Sequence, residues 1–440
     1  MLNKEIVNKA NKSLNGFLKE YNKSKQPAEI NFRSLVDWIQ PNSRSSHFIH
    51  SYPAKLLMHI PNYFLTTDLL SKEGDLIFDP FCGSGTVLLE ANLNNRKAYG
   101  IDVNPIAVLI SKVKTTNYNI DSLKAKKIDL IKSYVDIGSI PDVINIDYWF
   151  THRIKNDLSC ILNSINLLEE SIDKNFFKIC LSICSRKLSY ADPNVAVPVK
   201  LQSKISKNID FNSRAKIHDD FILKVNAFDF FSNVVDSTID IIKRNEGINF
   251  LSEIVCEDIR QFIPDKEQVD FIITSPPYAG AQKYIRATSL NLGWIELCKG
   301  SELNKLEKKT VGREHYATTD YNKIQETGIY EADILLREIY QINPLRAFIA
   351  SNYLLEMRQS MYNATLKLKK NGYLVLIIGN NVVCGKEFNT QSYIEHILNE
   401  FGLKTRLKLF DTIKSRGLMT KRNKTASLIT REWVILLQKE

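Results

Sequence analysis

The sequence predicts an α/β fold built on a mostly parallel sheet and interrupted by a mainly helical insertion. A short apolar run at residues 75–79 precedes a glycine turn, helical spacing covers residues 86–94, and a second strand-like run follows at 97–102. Strand, turn, helix and strand in that order form a βαβ unit, which implies parallel strands covered by helices. Further strand-like runs occur in the second half of the chain, at residues 254–256, 269–273, 372–378 and 432–438.

The texture of the chain indicates four segments. Residues 1–30 are rich in Lys and Asn and are expected to form a solvated N-terminal arm or helix. Residues 31–115 hold the βαβ unit and form the first half of the α/β domain. Residues 116–245 have few glycines or strand signals, so they predict a helical insertion. Residues 246–440 return to the α/β texture and complete the domain, with a mobile charged segment near 282–341.

Composition limits the class of protein. The 440 residues carry a formal net charge of +10, which suits a polyanionic partner. No apolar stretch approaches the ~18 residues that cross a bilayer, and the N-terminus lacks a signal peptide. Seven cysteines without a CxxC pair predict a reducing cytoplasm, and neither they nor the seven histidines show metal-ligand spacing. We therefore expect a cytoplasmic protein without a membrane partner or a metal.

The first chemical motif is the glycine turn, which we define as residues 79–86, Asp-Pro-Phe-Cys-Gly-Ser-Gly-Thr. Glycines between a strand and a helix let backbone amides approach a ligand closely. Neither GxGxxG nor GxxxxGK[ST] is present. The Asp79 carboxylate suits the ammonium end of S-adenosylmethionine and would repel a pyrophosphate. Asp102 ends the next strand, where an acid can accept both ribose hydroxyls.

The second motif is the tetrad Ser275-Pro276-Pro277-Tyr278, directly after an apolar strand. Two prolines fix the backbone and leave carbonyl groups as acceptors. An exocyclic amino group is a poor nucleophile because its lone pair is delocalised into the base. Ser275 Oγ and the Pro276 carbonyl can accept its two hydrogens, pull the nitrogen toward a tetrahedral geometry and free the lone pair. Tyr278 can stack on a base that has left the helix.

These motifs resemble the amino-methylating DNA methyltransferases, and within them the cytosine-N(4) group, whose tetrad is typically Ser-Pro-Pro-Tyr. The resemblance covers roughly residues 30–111 and 254–440. It implies a Rossmann-like S-adenosylmethionine-dependent methyltransferase fold with a mixed, mostly parallel seven-stranded sheet. It also implies S-adenosyl-L-methionine as cofactor and direct attack on its methyl group, without a covalent enzyme intermediate, because no Cys occupies the tetrad.

The resemblance also assigns residues. His50, Pro53 and Lys55 lie in a segment that closes over the methionine moiety in many members. Asn104 accompanies Asp102 in the ribose motif, and Asp258 corresponds to the residue that meets the adenine amino group. The expected cofactor-binding set is Asp79, Phe81, Gly83, Gly85, Thr86, Asp102, Asn104, Asp258, His50, Pro53 and Lys55. The tetrad supplies the catalytic set, and DNA backbone contacts are expected from Lys283, Arg286 and Arg313.

The expected reaction is methylation of cytosine N4 in specific double-stranded DNA sequences, after base flipping, in restriction-modification or phage defence. Nothing in the chain resembles an endonuclease centre, so cleavage would need a separate restriction endonuclease. Residues 116–245 are the candidate for target recognition by position alone. Three alternatives stay open: an adenine-N6 DNA methyltransferase, an RNA guanine-N2 methyltransferase, and a catalytically silent DNA-binding subunit. A basic C-terminal group that begins at Lys404 is a further candidate for phosphate contacts.

Overall fold

The computed structural model describes residues 4–40, 44–132, 134, 139–201, 209–243, 248–264, 268–280, 283–412 and 431–440. Ten strands lie within these ranges: β1 Ala28–Glu29, β2 Leu76–Asp79, β3 Lys97–Asp102, β4 Ser252–Cys256, β5 Val269–Thr274, β6 Leu368–Ile378, β7 Asn381–Val383, β8 Lys386–Phe388, β9 Leu403–Thr412 and β10 Arg431–Lys439. Three short 3₁₀ helices cover Ser45–Phe48, Gly300–Glu302 and Thr318–Tyr321.

The α-helices of the described ranges alternate with these strands and fill the insertion. They are α1 Lys4–Ser24, α2 Phe32–Leu35, α3 His59–Thr66, α4 Thr86–Leu93, α5 Pro105–Lys114, α6 Ile120–Lys132, α7 Ile146–Trp149, α8 His152–Asn166, α9 Ile172–Lys187, α10 Ile209–Lys224, α11 Ala227–Ile242, α12 Tyr284–Ala287, α13 Ser289–Trp294, α14 Leu303–Lys308, α15 Tyr330–Ile342, α16 Pro344–Lys367 and α17 Thr390–Glu400. Within the described ranges, no helix is both long and apolar enough to cross a membrane.

The main sheet has the order β1-β9-β10-β6-β5-β2-β3-β4. Its pairings are parallel except those of β10, which runs antiparallel to both β6 and β9. The chain leaves β2 toward β3 and β4 in one direction and leaves β5 toward β6 in the other, so the connections reverse between β2 and β5. This is a doubly wound, Rossmann-like arrangement, which confirms the predicted α/β class with a mostly parallel sheet.

Two details of the sheet differ from the prediction. It has eight strands and not seven, because β1, only two residues long, pairs in parallel with β9 at the edge. Strand β9 was missed because its alternate residues are Lys and Arg. Its apolar residues face the core, while Lys408 on the other face pairs with Glu395 at 2.6 Å. Lys404 and Arg406 likewise contact Glu440. The rest of the expected basic group, at positions 414–424, lies outside the described residues.

Helices cover both faces of the sheet. Helices α1, α3 and α4 pack on one face around Tyr63, Phe64 and Phe271, whereas α15, α16 and α17 pack on the other around Tyr353 and Ile394. Residues 1–30 were expected to be solvated. Instead α1 buries Ala10, Leu14 and Tyr21 and contacts β9, because its apolar residues share one helical face.

In the described part of residues 116–245, helices α6, α8, α9 and α11 contribute to an apolar core that they share with α5 and α13. Helix α9 lies at its centre and contacts α5, α8, α11 and α13. The insertion therefore packs directly on α5, which follows β3, and on α13, the second helix after the tetrad. A role in target recognition stays a prediction.

Candidate active site

Adjacent strands bring the glycine turn and the tetrad together. Strands β2 and β5 are parallel neighbours, with Ile77 opposite Phe271 and Phe78 opposite Ile272. Because the carboxyl ends of parallel strands meet at one edge, the segments after Asp79 and Thr274 leave the sheet side by side. Open α/β sheets bind ligands in the crevice where the connections reverse, and both motifs lie there.

The glycine turn needs Gly85 for two reasons. Its φ of +73° lies in the left-handed region, and a Cβ built there would lie 2.7 Å from Ser111 Oγ. The Ser111 hydroxyl donates to the Gly83 carbonyl at 2.8 Å, so helix α5 holds the turn from behind. Buried Lys114 on the same helix donates to the carbonyl of Ser84. The turn is therefore packed tightly against α5.

Asp79 is buried in a polar cradle, with 3% of its surface exposed. Its Oδ1 accepts from the Phe81 amide at 3.1 Å and from the Thr274 hydroxyl at 2.8 Å. Burial raises the pKa of Asp79 to about 7, and the nearby Asp102 charge adds to that rise, while the two hydrogen bonds oppose it. A cationic ligand would favour the ionised carboxylate.

Asp102 organises the backbone around the turn. Its Oδ2 accepts from the Gly83 amide at 2.9 Å, and its Oδ1 accepts from the Asn104 amide at 2.8 Å. Burial raises the pKa of Asp102 to about 6. The Asn104 side chain donates to the Tyr52 hydroxyl at 3.2 Å, whereas its buried Oδ1 has no partner among the described residues. Such an acceptor fits a ligand that carries hydroxyl groups.

A cavity of about 870 Å³, including its open mouth, occupies this crevice. Carboxylates from three strand ends reach it, because Asp79, Asp102, Glu257 and Asp258 all line it. Ser275 and Pro277 line the same cavity. Most of its charged side chains are acidic, with Lys55 and Lys309 as the cations. The lining thus suits a cationic ligand with hydroxyl groups, which matches S-adenosylmethionine better than a dinucleotide.

The structure brings most of the expected cofactor residues to this cavity and leaves others outside it. Those in the lining are Lys55, Asp79, Phe81, Gly83, Thr86, Asp102, Asn104 and Asp258. His50, Pro53 and Gly85 are outside the lining, and Gly85 acts through the shape of the turn. His50 lies instead against the insertion, where its Nε2 contacts Ser182 Oγ at 3.0 Å. Burial and the Lys55 charge lower the pKa of His50 to about 3, so it stays neutral.

Residues 44–56, which we call the segment over the cavity, end in residues that line it, and Glu90 of α4 anchors the beginning of this segment. Glu90 Oε1 accepts from His47 Nε2 at 2.8 Å and from Arg44 Nε at 3.1 Å. Glu90 Oε2 accepts from the side-chain Nδ2 of Asn62 at 2.8 Å. Lys55 donates to the carbonyls of His47 and His50, and burial lowers its pKa to about 8. Lys55 thus closes the segment on itself as well as lining the cavity.

Asp258 is committed to an ion pair that the sequence did not reveal. The Arg260 guanidinium donates from Nε to Asp258 Oδ1 at 2.9 Å and from Nη2 to Oδ2 at 2.7 Å. The Arg260 amide also donates to Asp258 Oδ1 at 3.0 Å. A carboxylate has about four lone-pair sites, so this geometry is compatible with one further donor from a ligand.

The tetrad is split between the cavity and the core. Ser275 and Pro277 line the cavity, Pro276 is buried, and the partly buried Tyr278 packs against the core with its hydroxyl 3.5 Å from Glu432 Oε1. Burial raises the pKa of Tyr278 well above its usual value. Stacking of the Tyr278 ring on a base stays a prediction.

Besides Phe81, the aromatic residues that line the cavity are Tyr52 and Tyr284. Their centroids are 6.3 Å apart and their planes differ by 19°. Tyr52 lies beside the glycine turn and Tyr284 lies just after the tetrad. The two rings therefore lie between the glycine turn and the segment that follows the tetrad.

The three cations expected to contact DNA have different environments. Arg286 is exposed on α12, whereas Lys283 pairs with Glu314 at 3.3 Å. Arg313 is half-buried, and its guanidinium lies 4.2 Å from the centroid of the Tyr316 ring. Arg286 is thus the most accessible of the three to a phosphate. Among the residues with described positions, no cluster of His, Cys, Asp and Glu could hold a metal.

Several residues in the site were missed from the sequence. Thr274 belongs to the same sequence motif as the tetrad, but no role was assigned to it. Glu257 adjoins Asp258 and carries the same signal of an acid after a strand. Lys309, Thr310 and Val311 line the cavity although they lie about 30 residues after the tetrad in a polar stretch. No local pattern marks them, since only the folded loop brings them back.

Comparison with known proteins agrees with this geometry. Residues 2–113 match a family model described as DNA methylase. The type II methyltransferase M.MvaI of Kocuria varians is 22% identical over 437 residues, covering 92% of this chain and 93% of that protein. M.BsoBI of Geobacillus stearothermophilus is 23% identical over 337 residues, and the match covers 70% of this chain and 63% of that protein. M.MjaII of Methanocaldococcus jannaschii is 35% identical over 105 residues, which cover 23% of this chain and 19% of that protein.

Proposed function

We propose that this chain, a DNA amino-methyltransferase that uses S-adenosylmethionine, modifies N4 of cytosine in specific double-stranded sequences. The observation that carries the choice of cytosine is Ser275 at the start of the tetrad. Its position on the cavity wall beside Pro277 supports a role in contact with the target amino group. The family model described as DNA methylase supports a DNA substrate, and we propose a role in a restriction-modification system from the likeness to type II methyltransferases.

The acids of the cavity would hold the cofactor. In the proposed arrangement Asp79 receives the ammonium group through Oδ2, since both described donors use Oδ1. Asp102 and Asn104 receive the ribose hydroxyls, and Asp258 receives the adenine amino group. When bound, S-adenosylmethionine supplies an electrophilic methyl group.

The tetrad would prepare the target nitrogen. Ser275 Oγ and the Pro276 carbonyl accept the two amino hydrogens and draw the nitrogen toward a tetrahedral geometry. Methylation leaves the nitrogen cationic, so one proton then departs to Ser275 or to water. The base must leave the duplex to reach the cavity, and Tyr284, which follows the tetrad along the chain, offers an aromatic ring in the lining. The exposed Arg286 and the paired Lys283 would contact the DNA backbone.

The direct test is nucleoside analysis of DNA from cells that express the protein and otherwise lack amino-methylated bases. We expect N4-methylcytosine with the wild-type chain. Ser275→Ala should lower the rate of its formation about 10- to 100-fold, because one hydrogen bond to a group that becomes charged contributes ~1.5–3 kcal/mol. Ser24→Ala, an exposed serine at the end of α1, should have no effect.

Three other outcomes would contradict the proposal. N6-methyladenine as the sole product would transfer the target to adenine. Methylation of RNA and not of duplex DNA in a purified assay would favour the guanine-N2 reading. Absence of calorimetric S-adenosylmethionine binding would favour a silent DNA-binding subunit.

A further inference from the structure

Residues 309–316, which we call the bridge segment, lie between the two halves of the site. Lys309, Thr310 and Val311 line the cavity beside Asp258 and Ile259. Gly312 and the residues after it turn toward the tetrad. The bridge segment therefore contacts the cofactor side at its beginning and the target side further along.

Gly312 makes the contact with the loop that follows Ser275. The Gly280 amide donates to the Gly312 carbonyl at 3.0 Å. Gly312 has a φ of +74°, and a Cβ there would lie 2.8 Å from the carbonyl oxygen of Tyr278. This approach excludes larger residues, so the backbone of the tetrad's last residue rests directly against the bridge segment.

Arg260 holds the bridge segment from the cofactor side. Its Nη2 donates to the Lys309 carbonyl at 2.9 Å as well as to Asp258. Its Nη1 donates to Glu356 Oε1 at 2.5 Å. Glu356 on α16 in turn accepts from the Gly312 amide through Oε2 at 3.1 Å. One guanidinium thus joins a cavity acid, the start of the bridge segment and the acid that binds Gly312.

The environment makes this network stronger than a surface ion pair. The side chains of Arg260, Asp258 and Glu356 are 19%, 7% and 11% exposed. Ion pairs with such limited access to water are screened weakly, and removing one partner leaves the others uncompensated. Planar guanidinium donors can serve several acceptors at once, which a lysine ammonium cannot reproduce in the same geometry.

A second anchor fixes the other end of the bridge segment. Glu314 pairs with Lys283, just after the tetrad, at 3.3 Å and with Arg346 on α16 at 3.4 Å. The Tyr316 hydroxyl accepts from Asn352 of α16 at 2.7 Å. Helix α16 thus supports the bridge segment along its length, and Arg260 is the link that reaches into the cavity.

We infer that Arg260 is a positioning residue that couples occupation of the cofactor cavity to the seating of the loop after Ser275. A ligand donor on Asp258 orients that carboxylate and with it Arg260, which fixes Lys309 and, through Glu356, Gly312. Gly312 then holds Gly280 and the backbone of Tyr278. The inference rests on the proposed placement of the cofactor beside Asp258 and not on which base is methylated.

Amide hydrogen exchange of the full-length protein, with and without S-adenosylmethionine and without DNA, tests this coupling. In the wild type the cofactor should slow exchange in the glycine turn and also at Gly280 and Gly312. In Arg260→Gln it should still slow exchange in the glycine turn, but the protection at Gly280 and Gly312 should be lost. Glu356→Gln should behave like Arg260→Gln, and Arg260→Lys should retain an intermediate protection.

The matched control is Arg337→Gln, which removes an exposed ion pair with Glu326 and should leave all protection unchanged. In steady-state assays, Arg260→Gln should lower kcat at least 10-fold more than it raises KM for S-adenosylmethionine, a split that general destabilisation would not give. Wild-type protection at Gly280 in a folded Arg260→Gln or Glu356→Gln protein would overturn the inference. So would a lack of cofactor-dependent protection at Gly280 in the wild type. An adenine product in the DNA assay contradicts only the proposed target, because exchange is measured without DNA.

Discussion

Thr274 donates its hydroxyl hydrogen to Asp79 Oδ1 across 2.8 Å, which joins the residue before the tetrad to the acid before the glycine turn. The bond crosses between β5 and β2, the two strands at which the connections of the sheet reverse. The bond therefore ties Asp79 to the strand that precedes Ser275.

Asp79→Asn should preserve the fold and weaken the binding of S-adenosylmethionine. An asparagine can keep both described hydrogen bonds, since Phe81 and Thr274 both donate to Oδ1. Loss of a charge-assisted contact of ~1.5–3 kcal/mol should weaken S-adenosylmethionine binding about 10- to 100-fold by calorimetry. With a pKa of about 7, wild-type affinity should rise between pH 6 and 8, whereas the variant should lack the rise near pH 7.

The same variant should show the opposite effect on stability. A carboxyl whose pKa is raised by folding destabilises the protein increasingly as pH rises from about 4 to 7. The ligand-free Asp79→Asn protein should therefore melt above the wild type at pH 8, and the difference should shrink toward pH 4. A lower melting temperature at pH 8 would mean that the charge of Asp79 has a stabilising partner.

Thr274→Val should move the pH dependence of cofactor binding to higher pH. The lost hydrogen bond opposes the rise of the Asp79 pKa, so its removal favours the protonated acid. At pH 7 binding should weaken, and at pH 8.5 it should recover much of the wild-type affinity. Thr412→Val, whose hydroxyl contacts exposed Glu29 at 2.6 Å, is a matched control that should leave the profile unchanged. A pH-independent loss would contradict a role through Asp79.

Gly85→Ala should disrupt the glycine turn more than an ordinary glycine substitution. The left-handed φ alone costs ~1–2 kcal/mol, and the Cβ additionally meets Ser111. Gly74→Ala provides the comparison, because Gly74 has a φ of +86° but its Cβ would have no atom within 4 Å. Thermal melting should show the larger loss for Gly85→Ala, and only that variant should lose cofactor binding. Equal losses of thermal stability in the two variants would mean that the left-handed backbone, and not the contact with Ser111, accounts for the effect of Gly85→Ala.

Arg286→Gln should weaken DNA binding with little dependence on sequence. Its side chain is exposed beside the tetrad, so it is available to a phosphate. Removing one phosphate contact should reduce the slope of log K against log salt by about 1. Lys12→Gln on α1 is the control and should leave the slope unchanged. A loss confined to one target sequence would instead indicate that Arg286 contacts a base.

The amino-acid pattern predicted the elements that hold chemistry better than those that surround them. Residues 97–102 were predicted as a strand and form β3, because that run is apolar and bounded by turn residues. Strand β9 was missed, since its charged outer residues resembled a basic loop. The sequence did not predict that the Tyr278 hydroxyl lies near Glu432 of β10, more than 150 residues away. A local motif specifies which groups are present but not where a side chain turns.

By itself the sequence determined the α/β class, the glycine turn and the position of the Ser-Pro-Pro-Tyr tetrad after a strand, because strands, glycine turns and proline pairs are set by local backbone preferences. Only the tertiary structure decided that Thr274 would hold Asp79, that Glu90 would anchor the segment over the cavity, and that Arg260 would join Asp258 to the bridge segment. These contacts pair polar groups from distant parts of the chain. Burial makes each pairing necessary, since an unpaired polar group inside the protein costs ~1–3 kcal/mol, but chain order alone does not reveal the partners.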